Sequence, residues 1–293
     1  MPPHPISLGS WPTPLEPAPR LAAALGLSEL WLKRDDLCGL GGGGNKVRKL
    51  QYTLAEALAA GATTVVTTGA AQSNHARLTA AAAARLGLRC VLVLAGSPPP
   101  ERRGNVLLND LAGAEIVWAG SAPLDEVAAT VPGAHVIPFG GSSVFSAQGY
   151  LDCAVELSAQ LPAGFAEVVV AVGSGATMAG LVAGLGPDRV RGVHTGAVSD
   201  PREVVAALVP GGGVLPARLR IDESQVGEGY GTLTPAVREA LTLAARTEGV
   251  FLDPTYTGRA LAGLAAAPDR PDGPVVFLHS GGLPSLFAHP ALT

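Results

Sequence analysis

Lys46 stands behind four consecutive glycines and Asn45, at the end of the stretch Gly41–Lys46. Glycine has no side chain, so another molecule can approach this part of the backbone closely. We expect a lysine in such a place to be shielded from water, which lowers its pKa and leaves a neutral amine that attacks carbonyl carbons. A phosphate-binding P-loop is excluded, because Asn45 and Val47 occupy the positions where that motif needs glycine and Ser or Thr. The predicted chemistry is a Schiff base with an aldehyde cofactor, and the alternative is a glycine-rich turn with a solvated lysine.

A short polar segment, Gln72 to His75, follows a strand-like stretch and opens a helix-like one. Ser73 or Asn74 is able to cap that helix, which is the purely structural interpretation. In the functional interpretation, the free N–H groups and the positive end of the helix bind a carboxylate. The side chains of Ser73, Asn74 and His75 would then face the ligand.

A second strand-to-helix turn, Gly173–Thr177, is the best phosphate-binding candidate in the chain. It combines small residues, a helix N-terminus and the hydroxyl groups of Ser174 and Thr177. It does not match the dinucleotide-binding fingerprint, because that pattern needs a third glycine at the position of Met178. A tight turn without any ligand is the structural alternative for this segment.

Two further turns carry side chains suited to a flat cofactor. Tyr256 precedes a helix-like stretch, and its ring either lies on the cofactor or covers the core. Ser280 follows the apolar stretch Val275–Leu278, at the carboxyl end of a predicted parallel strand, where ligands of α/β proteins collect. The neighbouring His279 is either a base or, as is more common beside an apolar strand, a structural residue.

Strand-like and helix-like segments alternate along the chain, which predicts an α/β fold with mostly parallel sheets and right-handed crossovers. Glu167–Val172 is nearly continuously apolar, as is typical of a strand buried on both faces. Pro235–Thr247 has the pattern of an amphipathic helix, and we expect Val250–Leu252 to be a short buried strand.

Two glycine-rich stretches are candidate crossings between domains, one ending at Lys46 and one beginning at Gly140. If both are crossings, residues 47–139 form a smaller inserted α/β domain. Residues 1–46 and 140–293 then build a larger, discontinuous domain.

The composition restricts the class of protein. The chain has 293 residues, of which 47% are hydrophobic and 15% charged, with a net charge of −4. That balance favours neither nucleic acid nor an anionic membrane as a partner. The N-terminus has no secretory pattern, and the three cysteines, Cys38, Cys90 and Cys153, match no zinc motif. We therefore expect a soluble, cytoplasmic protein with reduced cysteines and no metal, which acts on a small molecule.

A Schiff-base lysine, a phosphate site, a carboxylate site, a stacking ring and a strand-end hydroxyl together are typical of a pyridoxal-phosphate enzyme. Over nearly its whole length the sequence resembles the fold-type II pyridoxal-phosphate family of D-cysteine desulfhydrase and 1-aminocyclopropane-1-carboxylate (ACC) deaminase. The motifs that carry the resemblance are LWLKRDDLCGLGGGGNKVRKLQYTLAEAL, GAAQSNHARLTAAAAARLGL, VIPFGGSSVFSAQGY, VAVGSGATMAGL, LDPTYTGRALAGL and FLHSGGLPSLFAH. The resemblance implies two open, twisted, mostly parallel sheets with flanking helices, as in tryptophan synthase β-like proteins, and a homodimer.

The resemblance also implies roles for individual residues. Lys46 carries the cofactor, Asn74 binds its 3′-oxygen, Tyr256 packs on its ring, and Ser280 lies near the ring nitrogen. The candidate catalytic residues are Lys46, Ser73, Tyr230 and Tyr256. The candidate cofactor-binding residues are Lys46, Asn45, Asn74, Ser174, Gly175, Ala176, Thr177, Tyr256 and Ser280. The candidate substrate-binding residues are Ser73, Asn74, His75 and Thr257.

Two positions distinguish the members of this family. The deaminases that resemble this chain have glutamate after the ring-packing tyrosine and leucine before the late glycine pair, whereas the desulfhydrases have hydroxyl residues at both. This chain has Thr257 and Ser280. A neutral hydroxyl near the ring nitrogen supports a weaker electron sink than a carboxylate does, and a weaker sink suffices when a thiolate leaves.

The expected reaction is therefore α,β-elimination from D-cysteine, which gives pyruvate, ammonia and hydrogen sulfide. ACC deaminase and L-cysteate sulfo-lyase are the alternatives within the family. In a different class, the alternative is a non-catalytic phosphate- or nucleotide-binding module in which Lys46 has no role.

Overall fold

A computed structural model describes residues 3–269 and 271–292. Within these residues, the strands are β1 (Leu15–Pro17), β2 (Leu30–Arg34), β3 (Thr64–Gly69), β4 (Arg89–Leu94), β5 (Glu115–Trp118), β6 (His135–Val136), β7 (Glu167–Val172), β8 (Val190–His194), β9 (Arg220–Asp222) and β10 (Val275–His279). The α-helices are α1 (Pro19–Leu25), α2 (Lys46–Ala59), α3 (Asn74–Leu86), α4 (Gly104–Leu111), α5 (Leu124–Ala129), α6 (Val144–Gln160), α7 (Ala176–Leu185), α8 (Pro201–Leu208), α9 (Pro235–Glu248), α10 (Thr257–Ala266) and α11 (Leu283–Leu286).

The strands form two separate sheets. The larger sheet has the order β1-β2-β10-β7-β8-β9, and all its pairs are parallel except the antiparallel pair of β1 with β2. The smaller sheet has the order β5-β4-β3-β6 and is entirely parallel. The expected fold class, two mostly parallel sheets with flanking helices, is confirmed.

Strand β7 shows why the larger sheet is buried on both faces. Successive side chains of a strand point to opposite sides, so an all-apolar strand needs a hydrophobic layer on each side. Val169 packs in a core with residues of α1, α9 and α10, whereas Val168 and Val170 pack with residues of α6 and α7. All six residues of β7 are buried, in agreement with the apolar run in the sequence.

The smaller sheet has its own core, formed by residues of α2, α3, β3 and β4. Leu8, Cys38 and Leu40 also pack in this core, although they precede residue 47. The strands of the smaller sheet all lie between Thr64 and Val136. The division of the chain at 46/47 and 139/140 stays a prediction, and the packing of the N-terminal residues shows that the smaller unit recruits apolar side chains from outside it.

One expected strand is wrong. Val250–Leu252 pairs with no strand of the described residues, and instead leads from α9 into the turn before α10. Its alternating burial has another cause, because Val250 and Leu252 are buried in the core beneath α9 and α10 while Phe251 is exposed. A chain that passes over a core thus has the same apolar pattern as a short strand.

Three of the candidate functional segments follow the carboxyl ends of parallel strands. The segment Gln72–His75 follows β3, Gly173–Thr177 follows β7, and His279–Ser280 ends and follows β10. Such ends are where α/β sheets collect their ligands. No helix within residues 3–269 and 271–292 is long and apolar enough to cross a membrane.

Candidate active site

Lys46 is the first residue of α2, and the glycines before it are required by close packing. A side chain at Gly43 would bring its Cβ within 1.7 Å of the Asp36 carbonyl oxygen, and the backbone there has a φ of +73°. The Asn45 N–H donates a hydrogen bond to the Ser280 carbonyl oxygen at 3.0 Å, which joins this loop to the end of β10. Burial lowers the pKa of Lys46 to about 8. The loop therefore holds a shielded amine whose neutral fraction near neutral pH is larger than that of an ordinary lysine.

The phosphate-binding candidate lies beside this lysine. Helix α7 begins at Ala176 and has no side-chain cap, so the N–H groups of its first turn are available to a ligand. The Asn45 side-chain amide donates to the Thr177 hydroxyl at 3.0 Å. Asn45 thus ties the lysine loop to the N-terminus of α7, and the two predicted elements form one site.

Lys49, which the sequence analysis did not single out, lies next to the same loop. Its amine donates to the Gly140 carbonyl oxygen and to the hydroxyls of Ser142 and Ser174, the latter two at 2.9 and 3.4 Å. Burial, together with the charge of Lys46, lowers the pKa of Lys49 well below its ordinary value. The available signal was its spacing, because residues three apart share one face of a helix.

The structure shows Ser73 both as the cap of a helix and as a lining residue of a cavity. Its hydroxyl oxygen accepts a hydrogen bond from the Ala76 N–H at 3.1 Å and so caps α3. The same side chain lines the cavity described below, and its hydroxyl hydrogen is free of that cap. Ser73 therefore stabilises the helix whose N-terminus faces the cavity.

His75 is a neutral residue with a defined tautomer. The Thr67 hydroxyl donates to the Ile137 carbonyl oxygen at 2.9 Å, so it accepts from His75 Nε2 at 2.8 Å. Nδ1 is then the unprotonated nitrogen, and it is buried without a hydrogen-bond partner among the described residues. Burial, reinforced by the charges of Lys46 and Lys49, holds the pKa of His75 well below its ordinary value.

Tyr256 and Tyr230 meet at their hydroxyl groups, which share a short hydrogen bond. Burial raises the pKa of both, so both are neutral. The Arg259 guanidinium holds the loop that carries Tyr230, donating to the carbonyl oxygens of Gly229, Tyr230 and Thr232. The sequence offered no signal for this arginine, because these partners lie 27 to 30 residues away and a fourth, the Thr195 carbonyl oxygen, lies 64 residues away.

Thr257 lies behind this tyrosine rather than in the cavity. It is fully buried, its hydroxyl donates to Asp253 Oδ1 at 2.7 Å, and it accepts from the Asp253 N–H at 2.8 Å. The Asp253 carboxylate also accepts from the N–H groups of Thr255, Tyr256 and Thr257. Asp253 and Thr257 therefore fix the turn that presents Tyr256, and direct contact of Thr257 with a substrate has no geometric support.

Two adjoining cavities bring the candidates together, and Lys46, Ser174 and Tyr256 line both of them. The inner cavity, of about 410 Å³, is also lined by Asn45, Asn74, Ala171, Val172, Gly173, Gly175, Thr177, Met178, Ser280 and Gly281. The outer cavity, of about 850 Å³, is also lined by Gly69, Ala70, Ser73, His75, Ala95, Leu124, Phe139, Gly140, Gly196, Ala197 and Tyr230. Of the predicted site residues, Ala176 and Thr257 line neither cavity.

The residues of the inner cavity fit pyridoxal phosphate. Lys46 offers an amine with a lowered pKa for the aldehyde, and the uncapped N-terminus of α7 offers N–H groups for a dianionic phosphate. A Cβ at Gly140 would lie 2.1 Å from the Ser174 hydroxyl, so glycine is needed to leave room beside that loop. An anion here would also offset the unpaired charges of Lys46 and Lys49.

The fold is α/β, and the site fits an aldehyde cofactor beside a lysine with a lowered pKa. Residues 6–281 match the family described as "Pyridoxal-phosphate dependent enzyme", and the chain belongs to this family. Its cofactor is therefore pyridoxal 5′-phosphate, and the non-catalytic binding module is set aside.

The relatives of the chain are more specific than the family. It is 42% identical over 308 residues to D-cysteine desulfhydrase of Salmonella schwarzengrund, covering 95% of this chain and 94% of that protein. The D-cysteine desulfhydrase of Salmonella newport gives the same identity and coverage. A crystal structure of an ACC deaminase homologue superposes with a TM-score of 0.88 at 34% identity, covering 97% of this chain and 93% of that one.

Proposed function

We propose that this enzyme catalyses α,β-elimination from D-cysteine, in which D-cysteine and water give pyruvate, ammonia and hydrogen sulfide. The observation that carries the proposal is the 42% identity to D-cysteine desulfhydrases along 95% of the chain. The ACC deaminase homologue among the solved structures supports ACC deamination as the second candidate.

The proposed roles follow from the positions of the side chains. Bound pyridoxal phosphate supplies an electron sink for the negative charge that develops at the substrate Cα. Lys46 Nζ, with a pKa of about 8, is suited to take the proton from that carbon, because a base works best when its pKa is near the operating pH. Ser73, which lines the outer cavity, and the N-terminus of α3 hold the substrate carboxylate.

The chemistry of the outer cavity supports a thiolate over a sulfonate as the leaving group. Among the described residues that line it, Lys46 is the one cation, and His75 is neutral. The other side chains include Ala95, Leu124 and Phe139, which are apolar. A sulfonate keeps its negative charge and needs a cation or several donors when it leaves water. L-cysteate is therefore the weaker substrate candidate.

The choice between desulfhydrase and deaminase now depends on one position instead of two. Ser280 lines the inner cavity, whereas Thr257 is turned toward Asp253. A hydroxyl at Ser280 supports the weaker electron sink that suffices for elimination of a thiolate. Thr257 contributes only by fixing the turn of Tyr256.

A product assay with four substrates tests the proposal. The holoenzyme is given D-cysteine, L-cysteine, L-cysteate and ACC separately, and sulfide, sulfite, pyruvate and 2-oxobutanoate are measured. We expect equal amounts of sulfide and pyruvate from D-cysteine, and far less product from the other three. Formation of 2-oxobutanoate from ACC at a comparable or higher kcat/KM would favour the deaminase instead.

We further propose that the enzyme works as a cytoplasmic homodimer. The family resemblance supports the dimer, and three free, buried cysteines are consistent with a reducing compartment. Light scattering of the purified holoenzyme measures the oligomeric state, and a monomeric mass would contradict the proposal.

A further inference from the structure

The side-chain amide of Asn74 has two ends of nearly equal size, and they differ in chemistry. Its NH₂ group donates hydrogen bonds, whereas its oxygen accepts them. Asn74 lines the inner cavity, so the end that faces the cavity decides what kind of atom it binds there. An anionic oxygen of the cofactor requires the NH₂ end.

A second asparagine, Asn105 on α4, contacts the amide of Asn74 from behind. Asn105 Nδ2 donates to the Gln72 carbonyl oxygen at 2.8 Å and to Asn74 Oδ1 at 2.9 Å. The Gln72 carbonyl accepts only, so Asn105 must turn its NH₂ toward it. The second hydrogen of that NH₂ then meets Asn74, which must offer Oδ1. The NH₂ of Asn74 is left to face the inner cavity.

Backbone groups also fix the orientation of the Gln72 side chain, which binds the main chain of Arg103 and of Asn105. Gln72 Nε2 donates to the Arg103 carbonyl oxygen at 3.1 Å, and Gln72 Oε1 accepts from the Asn105 N–H at 2.8 Å. Neither backbone partner can exchange its role. If the Asn105 amide were reversed, its oxygen would face the Gln72 carbonyl oxygen, which can only accept, although its present orientation leaves Oδ1 buried without a partner among the described residues.

We infer that Asn105 is a positioning residue for the cofactor site: it fixes the amide of Asn74 so that its NH₂ donates into the inner cavity. Asn105 itself is fully buried and lines neither cavity. The inference needs the family cofactor but no particular substrate, so it stands apart from the proposed reaction on D-cysteine.

Asn109 provides a matched control. It lies one turn further along α4 and is equally buried, but both of its amide atoms lack a hydrogen-bond partner among the described residues. Asn105→Asp and Asn109→Asp are isosteric changes that introduce the same carboxylate on the same helix. In Asn105→Asp, the new carboxylate attracts the NH₂ of Asn74, which turns the Asn74 oxygen to the cavity.

The readout is the visible chromophore of the bound cofactor, titrated with pH in the absence of substrate, together with the dissociation constant of pyridoxal phosphate. Loss of a donor to an anionic oxygen raises the pH midpoint of the chromophore, by about one unit for a charge-assisted hydrogen bond. We expect that rise, and weaker cofactor binding, for Asn105→Asp and Asn105→Ala but not for the Asn109 variants.

A double-mutant cycle separates positioning from general damage to the fold. In an Asn74→Ala background, Asn105→Ala should leave the pH midpoint unchanged, because the amide that it orients is gone. Equal shifts for the Asn105 and Asn109 variants would overturn the inference. So would a shift for Asn105→Ala that persists at full size without Asn74.

Discussion

Helix α2 carries buried cations of two kinds, and the contrast between them separates scaffold from active site. The Arg48 guanidinium donates to Asp35 at 2.9 Å and to Glu156 at 2.8 Å. Burial alone would lower the pKa of Arg48, but the charges and hydrogen bonds of its neighbours, Asp35 and Glu156 among them, together outweigh burial and raise that pKa. Lys46 and Lys49 lie on the same helix without any carboxylate partner in the described structure, and burial lowers the pKa of both.

The difference shows where the fold keeps a buried charge without a carboxylate partner. A buried cation with two carboxylates is neutralised and keeps one geometry, whereas an unpaired one disfavours its own charged form. Strong pKa shifts of this second kind concentrate at functional sites. Arg48 holds α2 against α6, whereas Lys46 lines the proposed cofactor site and Lys49 lies beside it.

We expect the largest effect at Lys46, one of the two lysines without a carboxylate partner. Lys46→Ala removes both the amine that binds the cofactor and the proposed base, so kcat should fall by about 10³-fold or more. The absorption band of the lysine-bound cofactor should disappear as well. Activity and absorbance at matched cofactor concentration measure both losses. A variant that retains a borohydride-reducible chromophore would contradict the assignment of Lys46.

The next largest effect is expected at Asp35, a carboxylate partner of Arg48. Asp35→Ala leaves Arg48 partly unpaired in the core, and we expect the free energy of unfolding to fall by about 3–5 kcal/mol. Arg89→Ala is the matched control, because its ion pair with Glu115 is half exposed, and such pairs contribute about 0–1 kcal/mol. Urea unfolding of the holoenzymes measures both values. Equal losses would mean that burial of the Asp35 pair is irrelevant to stability.

A third effect concerns pH. The neutral amine of Lys46 captures the aldehyde, so the rate of cofactor capture by the apoenzyme should rise about tenfold per pH unit and level off near pH 8, where the pKa of Lys46 lies. A free alkylamine with an ordinary pKa serves as the control, and its rate keeps rising beyond that point. Stopped-flow absorbance measures both. A capture rate that parallels the free amine would show that burial does not lower the pKa of Lys46.

The sequence predicted the elements whose signals are local. The apolar run of β7 followed by small residues predicted both the strand and the turn Gly173–Thr177. Strand β2 was missed because Lys33 and Arg34 are charged. Lys33 is nevertheless buried, since its amine donates to Glu156 at 2.9 Å, 123 residues away. Because the partner of this charge lies so far away in the sequence, the residues around Lys33 do not have the apolar pattern of a buried strand.

The same limit applies to the site. The motifs predicted many of the residues that line the two cavities, among them those in the turns after β3, β7 and β10. Lys49 and Asn105 were missed, since their partners lie 91 and 31 residues away. Thr257 was expected to bind substrate, yet it hydrogen-bonds Asp253, and a hydroxyl in a turn has no sequence feature that reveals which way it points.

The smallest expected effect tests whether the region around Arg48 and Glu156 acts independently of Lys46. Helix α6 carries Glu156 and begins with a capping box, in which the Ser143 hydroxyl accepts from the Ser146 N–H at 3.0 Å. Ser143→Ala should lower the free energy of unfolding by about 1 kcal/mol, because it removes one partner of the helix N-terminus. The pH midpoint of cofactor capture should stay that of the unaltered enzyme. A shifted midpoint would show that the region around Arg48 and Glu156 also affects the pKa of Lys46. The paired and unpaired cations would then not be independent.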